Sequence, residues 1–336
     1  MTEFSAEEIW GLTESELFNL LDTGNLVPGA RKVKFYAPSF AYHKAKHYCS
    51  PQAKFPTISV TGNECALDCK HCGGKVLDTM LPAETPVKLF EIAKNLKRDG
   101  AVGCLISGGC LPNGSVPLQR FIPVIGRIKR ELGLTVVVHT GIIDAKNAEG
   151  LKEAKVDAAL IDVIGSNETI RQACNLNVTI NDYEDSLHAL HSAGLNFVPH
   201  VIVGLHNGLL EGEFQALKTI KRFNPSALVV IAFMPIRGTQ MENVKPPTPS
   251  AIARVIASAH VMLPETPLAL GCMRPKGKHR AETDVLALKA GADAIAFPSE
   301  EAVRYAKEQG YEVALSPYCC SQIYVDAGNS GRSVSK

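Results

Sequence analysis

The chain has 336 residues, with 35 Lys and Arg against 34 Asp and Glu, a net charge of +1. So even a balance gives no strong field to gather nucleic acid or a membrane surface, and neither partner is expected. Apolar residues at 46% and charged residues at 21% exclude a disordered chain. No apolar run reaches the ~18 residues of a spanning helix. The opening MTEFSAEEIWGL is acidic and lacks the basic-then-apolar order of a leader, so a cytoplasmic protein is expected.

In chain order, residues 5–22 read as an amphipathic helix, with Ser5 and Glu8 spaced as a capping box. Residues 24–55 read as irregular, interrupted by Pro28, Gly29, Pro38 and Pro51. Within them, 31–47 interleaves basic and aromatic residues. From residue 56 a regular rhythm begins. Short β-branched runs stand at 56–61, 103–107, 134–139, 157–163, 197–203, 227–233, 267–271 and 293–297. Helical patterns separate them, several closing on a glycine such as Gly100, Gly133, Gly194 or Gly291. Eight strands alternating with helices imply an α/β fold with a parallel sheet, and eight is the number that closes a (β/α)8 barrel of the TIM type. A doubly wound open sheet is the alternative, because buried parallel strands look alike in both. The expected organisation is an N-terminal extension at 1–55, a barrel at 56–300 and a C-terminal helix with a cysteine-containing tail at 301–336.

Ten cysteines are present, and Cys65, Cys69 and Cys72 crowd into eight residues of the loop after the first barrel strand. Barrel active sites sit in such loops, at the C-terminal ends of the strands. Three thiolates at spacings of four and three can hold three irons of a 4Fe-4S cluster and leave the fourth open. Structural zinc is the plainer reading, but it closes with four ligands, often from two paired knuckles, and no second knuckle is present.

Cys65-x3-Cys69-x2-Cys72 in this position resembles the radical S-adenosylmethionine (SAM) superfamily. The resemblance implies a 4Fe-4S cluster whose open iron chelates SAM, and reductive cleavage of SAM to a 5′-deoxyadenosyl radical that abstracts hydrogen from unactivated carbon. It places His71 beside the adenine and Ser107-Gly108-Gly109 beside the SAM amino group, with Cys110 where an acidic residue is usual. Ile202 and Gly204 in VIVGL resemble the adenine platform, and Met234-Pro235 a further adenine-side segment. His139, Asp162 and Arg171 stand where SAM or substrate contacts fall, and His200 on the fifth strand and Arg274, two residues after Cys272, are further substrate candidates. Taken singly, each of these reads equally as core strand, turn or salt bridge.

Over about 56–300 the resemblance is to the biotin synthase and lipoyl synthase group, which inserts sulfur and consumes a second cluster. Val137 and Val198 stand where biotin synthase has cluster cysteines, and the C-x4-C-x5-C motif of bacterial lipoyl synthase is absent. The pattern resembles a component of the archaeal two-protein lipoyl synthase. That implies a second 4Fe-4S cluster, with Cys49, Cys272, Cys319 and Cys320 as leading ligands. It also implies as partners a lipoyl-carrier protein or octanoyl-lysine peptide, a second radical SAM protein and an electron donor such as ferredoxin. Residues 31–47 and Lys276, Lys278, His279 and Arg280 are candidates for an acidic carrier surface, or simply a solvated face. Biotin formation, a methylornithine-type mutase needing no second cluster, and a non-catalytic iron–sulfur or zinc module are the alternatives.

Overall fold

The computed structural model describes residues 4–27, 29, 31–37, 44–45, 48–49 and 54–328. Its strands in chain order are β1 (Lys32–Tyr36), β2 (Lys44–Ala45), β3 (Tyr48–Cys49), β4 (Thr57–Ser59), β5 (Leu81–Pro82), β6 (Gly103–Ser107) and β7 (Thr135–His139), then β8 (Ala158–Asp162), β9 (Phe197–Val203), β10 (Leu228–Ala232), β11 (Leu268–Leu270), β12 (Ala294–Ala296) and β13 (Glu312–Ser316). All eight predicted runs are strands, β4 and β6 to β12. They lie side by side in sequence order and in parallel.

The sheet has eleven strands rather than eight, in the order β13-β1-β12-β11-β10-β9-β8-β7-β6-β4-β5. It curves into an open barrel with helices outside. Residues 32–36, read as irregular, are strand β1, which inserts in parallel between β12 and β13. The segment Lys-Val-Lys-Phe-Tyr carries the alternation of a strand, but its surrounding prolines and glycines obscured it. β2 and β3 form a separate antiparallel hairpin.

The predicted helix over 5–22 is two helices, Ala6–Gly11 and Glu14–Asp22, each with its own capping box. Ser5 and Glu8 bond reciprocally as expected, and Thr13 with Glu16 repeats the device eight residues later. The second box starts a new helix because its N-cap residue must leave helical dihedrals. Between longer elements, Gly133 ends the helix Ile122–Leu132 at φ +60°, a conformation that a Cβ would strain.

Two apolar clusters divide the interior. One lies between sheet and helices. The other fills the lumen, where Val137, Leu160, Val198 and Val229 point inward. The chain after β13 turns back into that lumen, so Cys319, Cys320 and Ile323 join its apolar lining. Further on, the Tyr324 hydroxyl donates to the Asp157 carbonyl at 2.5 Å, at the N-terminal end of β8. The tail thus runs down the barrel from mouth to base. Phe55, just ahead of β4, stacks at 6.1 Å on Tyr318, just after β13. A ring contact, not a strand ladder, joins the first barrel strand to this tail.

Candidate active site

The cysteine loop leaves β4 and is held by three neighbours. The Ala66 amide donates to the Cys110 carbonyl, the Lys70 amide to the Ala173 carbonyl, and the Met241 amide to the Lys70 carbonyl. Asn175 donates to the Leu67 carbonyl at 2.9 Å. Asp68 takes a left-handed conformation at φ +46°, which Asp tolerates better than most residues. Loops after β6, β8 and β10 therefore fix the loop that carries the thiols, as the barrel layout requires.

Ligand atoms of Cys69, His71 and Cys72 lie within 4.8 Å of one another. Cys69 is buried and donates its thiol hydrogen to the Cys174 carbonyl at 3.1 Å. The Cys65 sulfur, on the same loop, accepts the Cys110 amide at 3.4 Å. The hydrogen bond to the Cys174 carbonyl, with burial, holds the Cys69 thiol well above the usual range. A hydrogen bond with Cys69, then burial, pushes Cys72 up to about 12. Such thiols keep their protons unless a cation replaces them, and a metal ion displaces such protons when it binds. His71 Nδ1, on the same loop, is buried with no hydrogen-bond partner. This donor set, three thiols on one short loop at the mouth of a barrel, fits an iron–sulfur cluster.

The glycine motif follows β6 and packs against the loop. Gly109 donates its amide to Thr61 Oγ1 at 2.8 Å, and a Cβ on Gly109 would stand 2.0 Å from the Glu64 carbonyl oxygen. The glycine is needed because the cysteine loop lies on it. Thr61 was not singled out from sequence; a lone threonine in a turn carries no signal. Ser107 is half-buried, and its hydroxyl donates to the His139 carbonyl at 3.4 Å. A Cβ on Gly108 would meet Thr61 Oγ1 at 3.1 Å.

After β9, Gly204 has φ +75° and a Cβ there would be 2.7 Å from the Pro247 ring. Its amide donates to Glu213 Oε1 at 2.8 Å, while the Glu211 amide donates to Glu213 Oε2 at 2.6 Å. Glu213 is buried and was not anticipated, since it opens an ordinary surface-patterned helix, Glu213–Lys221. Ile202, Met234 and Pro235 are half-buried at the ends of β9 and β10.

His139 and Asp162 end the adjacent strands β7 and β8, and His200 lies midway along the next, β9. Asp162 and His200 are register partners. His139 Nε2 lies 3.5 Å from Asp162 Oδ1, and the two imidazole rings are 5.9 Å apart. Burial pushes the Asp162 carboxyl up, but His139, joined by His200 and His71, brings it down to about 2. Burial brings His200 down to about 4. Sequence placed His139 and Asp162 at strand ends and His200 on the fifth barrel strand; only the register places them together.

Arg171 is exposed on the helix Asn167–Cys174 and pairs with Glu168 at 2.5 Å. Arg274, a substrate candidate from sequence, is fully buried. It donates to both Asp284 oxygens at 2.7 and 3.0 Å and to the Gly271 and Phe297 carbonyls at 2.6 and 3.1 Å. It is committed to closing the last strands.

Cys272 lies just after β11, and Cys319 and Cys320 lie in the lumen beside it. Burial pushes the Cys272 thiol up to about 11. A hydrogen bond with Cys320 brings the Cys319 thiol down against its burial, and the same bond raises Cys320. The Cys49 backbone pairs with Lys44, and its side chain lies outside the described residues. Of the basic residues proposed for a carrier, Arg31 is half-buried and donates to the Leu288 carbonyl at 2.6 Å, Lys32 is exposed and pairs with Glu312 at 3.5 Å, and residues 38–43 and 46–47 lie outside the described residues. Lys276 and Lys278 are exposed, whereas His279 bonds to the Pro247 carbonyl and Arg280 to the Arg274 carbonyl. No described helix is long and apolar enough to cross a membrane.

A sequence model of the Radical SAM superfamily matches residues 59–212, from the end of β4 to just beyond β9. The chain is 26% identical over 221 residues to a biotin synthase of Leptospira biflexa, covering 64% of this chain and 62% of that protein. It thus spans under two thirds of that relative's length. A biotin synthase of Prochlorococcus marinus is 26% identical over 303 residues, covering 88% of this chain and 85% of the other. In fold, the chain resembles HydG, a maturase of the FeFe-hydrogenase, with a TM-score of 0.64 at 15% identity over 96% of this chain and 74% of that one. It resembles methylornithine synthase (PylB) with a TM-score of 0.58 at 15% identity over 92% and 97%. The superfamily to which the matched segment belongs uses a 4Fe-4S cluster and SAM. The cysteine loop and the glycine motif both lie inside that match, so residues 59–212 resemble a radical SAM domain and the chain is similar to biotin synthases.

Proposed function

We propose that this radical SAM enzyme inserts sulfur into an unactivated C–H position of an octanoyl chain borne on a lysine of a carrier protein. Cys65, Cys69 and Cys72 would hold the SAM-binding cluster. When bound, the cluster supplies an electron and SAM the hydrogen-abstracting group. His71, Ser107, Gly108 and Gly109 would line the methionine and adenine side near the loop, and Ile202, Gly204, Met234 and Pro235 the far side of the adenine. No proton-transfer residue is required, because the step moves a hydrogen atom.

The observation that carries the sulfur reading is the position of Cys272, Cys319 and Cys320. They gather in the lumen, on elements remote in sequence from the cysteine loop, next to a mouth where substrate must sit. Cys49 would complete a second 4Fe-4S cluster with them, to act as the sulfur source. The exposed Lys276 and Lys278, with the basic segment at 31–47, would meet an acidic carrier. A second radical SAM protein and a ferredoxin-type donor would complete the system.

The test is anaerobic reconstitution followed by iron analysis and mass spectrometry of the products. Sulfur insertion expects about eight irons per chain, from two four-iron clusters. It also expects 5′-deoxyadenosine and an octanoyl-lysine peptide heavier by sulfur. The relatives' name favours a second reading, sulfur insertion into a small molecule as in biotin formation. Turnover of dethiobiotin but not of the octanoyl peptide would establish it. About four irons with a rearranged, sulfur-free product would instead favour a mutase.

A further inference from the structure

We propose that His139, Asp162 and His200 form a binding site for a single divalent transition-metal ion at the barrel mouth, separate from both cysteine sets. The proposal does not rest on sulfur insertion and stands or falls apart from it. Among the described residues only two groups of three metal-ligating side chains have ligand atoms within 4.8 Å of one another, and this is the one outside the cysteine loop.

The three ligands come from neighbouring parallel strands whose register is fixed by the ladder. They are thus held by the most rigid part of the fold, not by a loop. Two imidazoles and one carboxylate on one side of an ion suit iron, cobalt or zinc, and leave the opposite side open to ligands from the mouth. The spacing of one ligand pair also fits. His139 Nε2 and Asp162 Oδ1 stand 3.5 Å apart, beyond an ordinary hydrogen bond. Two tetrahedral ligands each ~2.1 Å from zinc are themselves about 3.4 Å apart.

The second ring nitrogen of His200 supplies the orientation such a ligand needs. His200 Nδ1 lies 3.1 Å from the Val198 carbonyl, which only accepts, so Nδ1 carries the proton and Nε2 presents its lone pair. Metal-bound histidines commonly have this backbone partner. The ion's open positions would face the space between the cysteine loop and the tail. The field of Asp162 reaches His71 on one side, and that of His139 reaches Cys319 on the other. An ion there would take a carbonyl or carboxylate oxygen of a substrate entering the mouth, and so would position the carbon to be attacked.

The test uses full-length protein carrying Cys65→Ala, Cys69→Ala and Cys72→Ala, so that the loop thiols do not compete for metal. Anaerobic titration with Co2+, read by visible absorption and equilibrium dialysis, is expected to show one ion per chain. Adding His200→Ala or Asp162→Asn should each weaken binding tenfold or more, with far-UV circular dichroism unchanged. His139→Gln serves where another variant fails to fold. Absence of stoichiometric binding would overturn the proposal. So would equal affinity in the folded His200 and Asp162 variants, or loss of the ion on Cys319→Ser with full retention in those variants.

Discussion

A Cβ placed on Gly109 would lie 2.0 Å from the Glu64 carbonyl oxygen and 2.6 Å from Cys65 Cβ. The glycine motif after β6 and the cysteine loop after β4 are therefore in contact through backbone, and the glycine sets how closely they approach. Space for a ligand beside Gly109 is not what a side chain there would fill first.

Gly109→Ala is accordingly expected to push the cysteine loop outward. Overpacking of this kind costs ~1–3 kcal/mol. The larger effect should fall on cluster assembly, because the displaced backbone carries Cys65. Iron content after anaerobic reconstitution, set against a urea melt of the same protein, checks this. Normal iron with a normal melt would mean that the loop yields without cost.

Replacing Cys65, Cys69 and Cys72 together with Ala should abolish formation of 5′-deoxyadenosine from SAM. If Cys49, Cys272, Cys319 and Cys320 hold a second cluster, the same variant should still bind about four irons with a cluster absorption band. A folded, iron-free variant would remove the sulfur-insertion reading and leave the mutase in front.

The fully buried Arg274–Asp284 pair is a structural brace rather than a substrate contact. Asp284→Asn leaves a buried guanidinium short of charge compensation, and such broken pairs cost ~3–5 kcal/mol. Urea denaturation should report a loss of that size. A stable Asp284→Asn protein with a raised KM and an unchanged melt would return Arg274 to the substrate site.

Burial raises the Glu213 carboxyl above its ordinary value of 4.5. The unfolded chain then releases that proton first. The contribution of Glu213 to stability is fully present below the ordinary value and is lost as pH rises through the folded value. Glu213→Gln removes the titration. Wild type should therefore lose stability relative to this variant as pH is raised past 4.5, measured by paired urea melts across that range. Parallel pH profiles would show that Glu213 ionises freely.

Much of the fold was legible because it is written in local periodicity. Short β-branched runs at 56–61 through 293–297 announced eight parallel strands, and glycines such as Gly133 announced where helices stop. Cys65-x3-Cys69-x2-Cys72 announced its chemistry because three thiols at that spacing have few other uses. Spacing reports only which residues are near each other along the chain. It does not reveal that β1 inserts between β12 and β13, that the tail with Cys319 and Cys320 turns back into the lumen, or that Arg274 spends its donors on Asp284 and two carbonyls. Nor does it place His139, Asp162 and His200 together. Those relationships are set by strand order and register over separations of tens to hundreds of residues, where the choice of partner depends on which faces the packed sheet leaves to be filled.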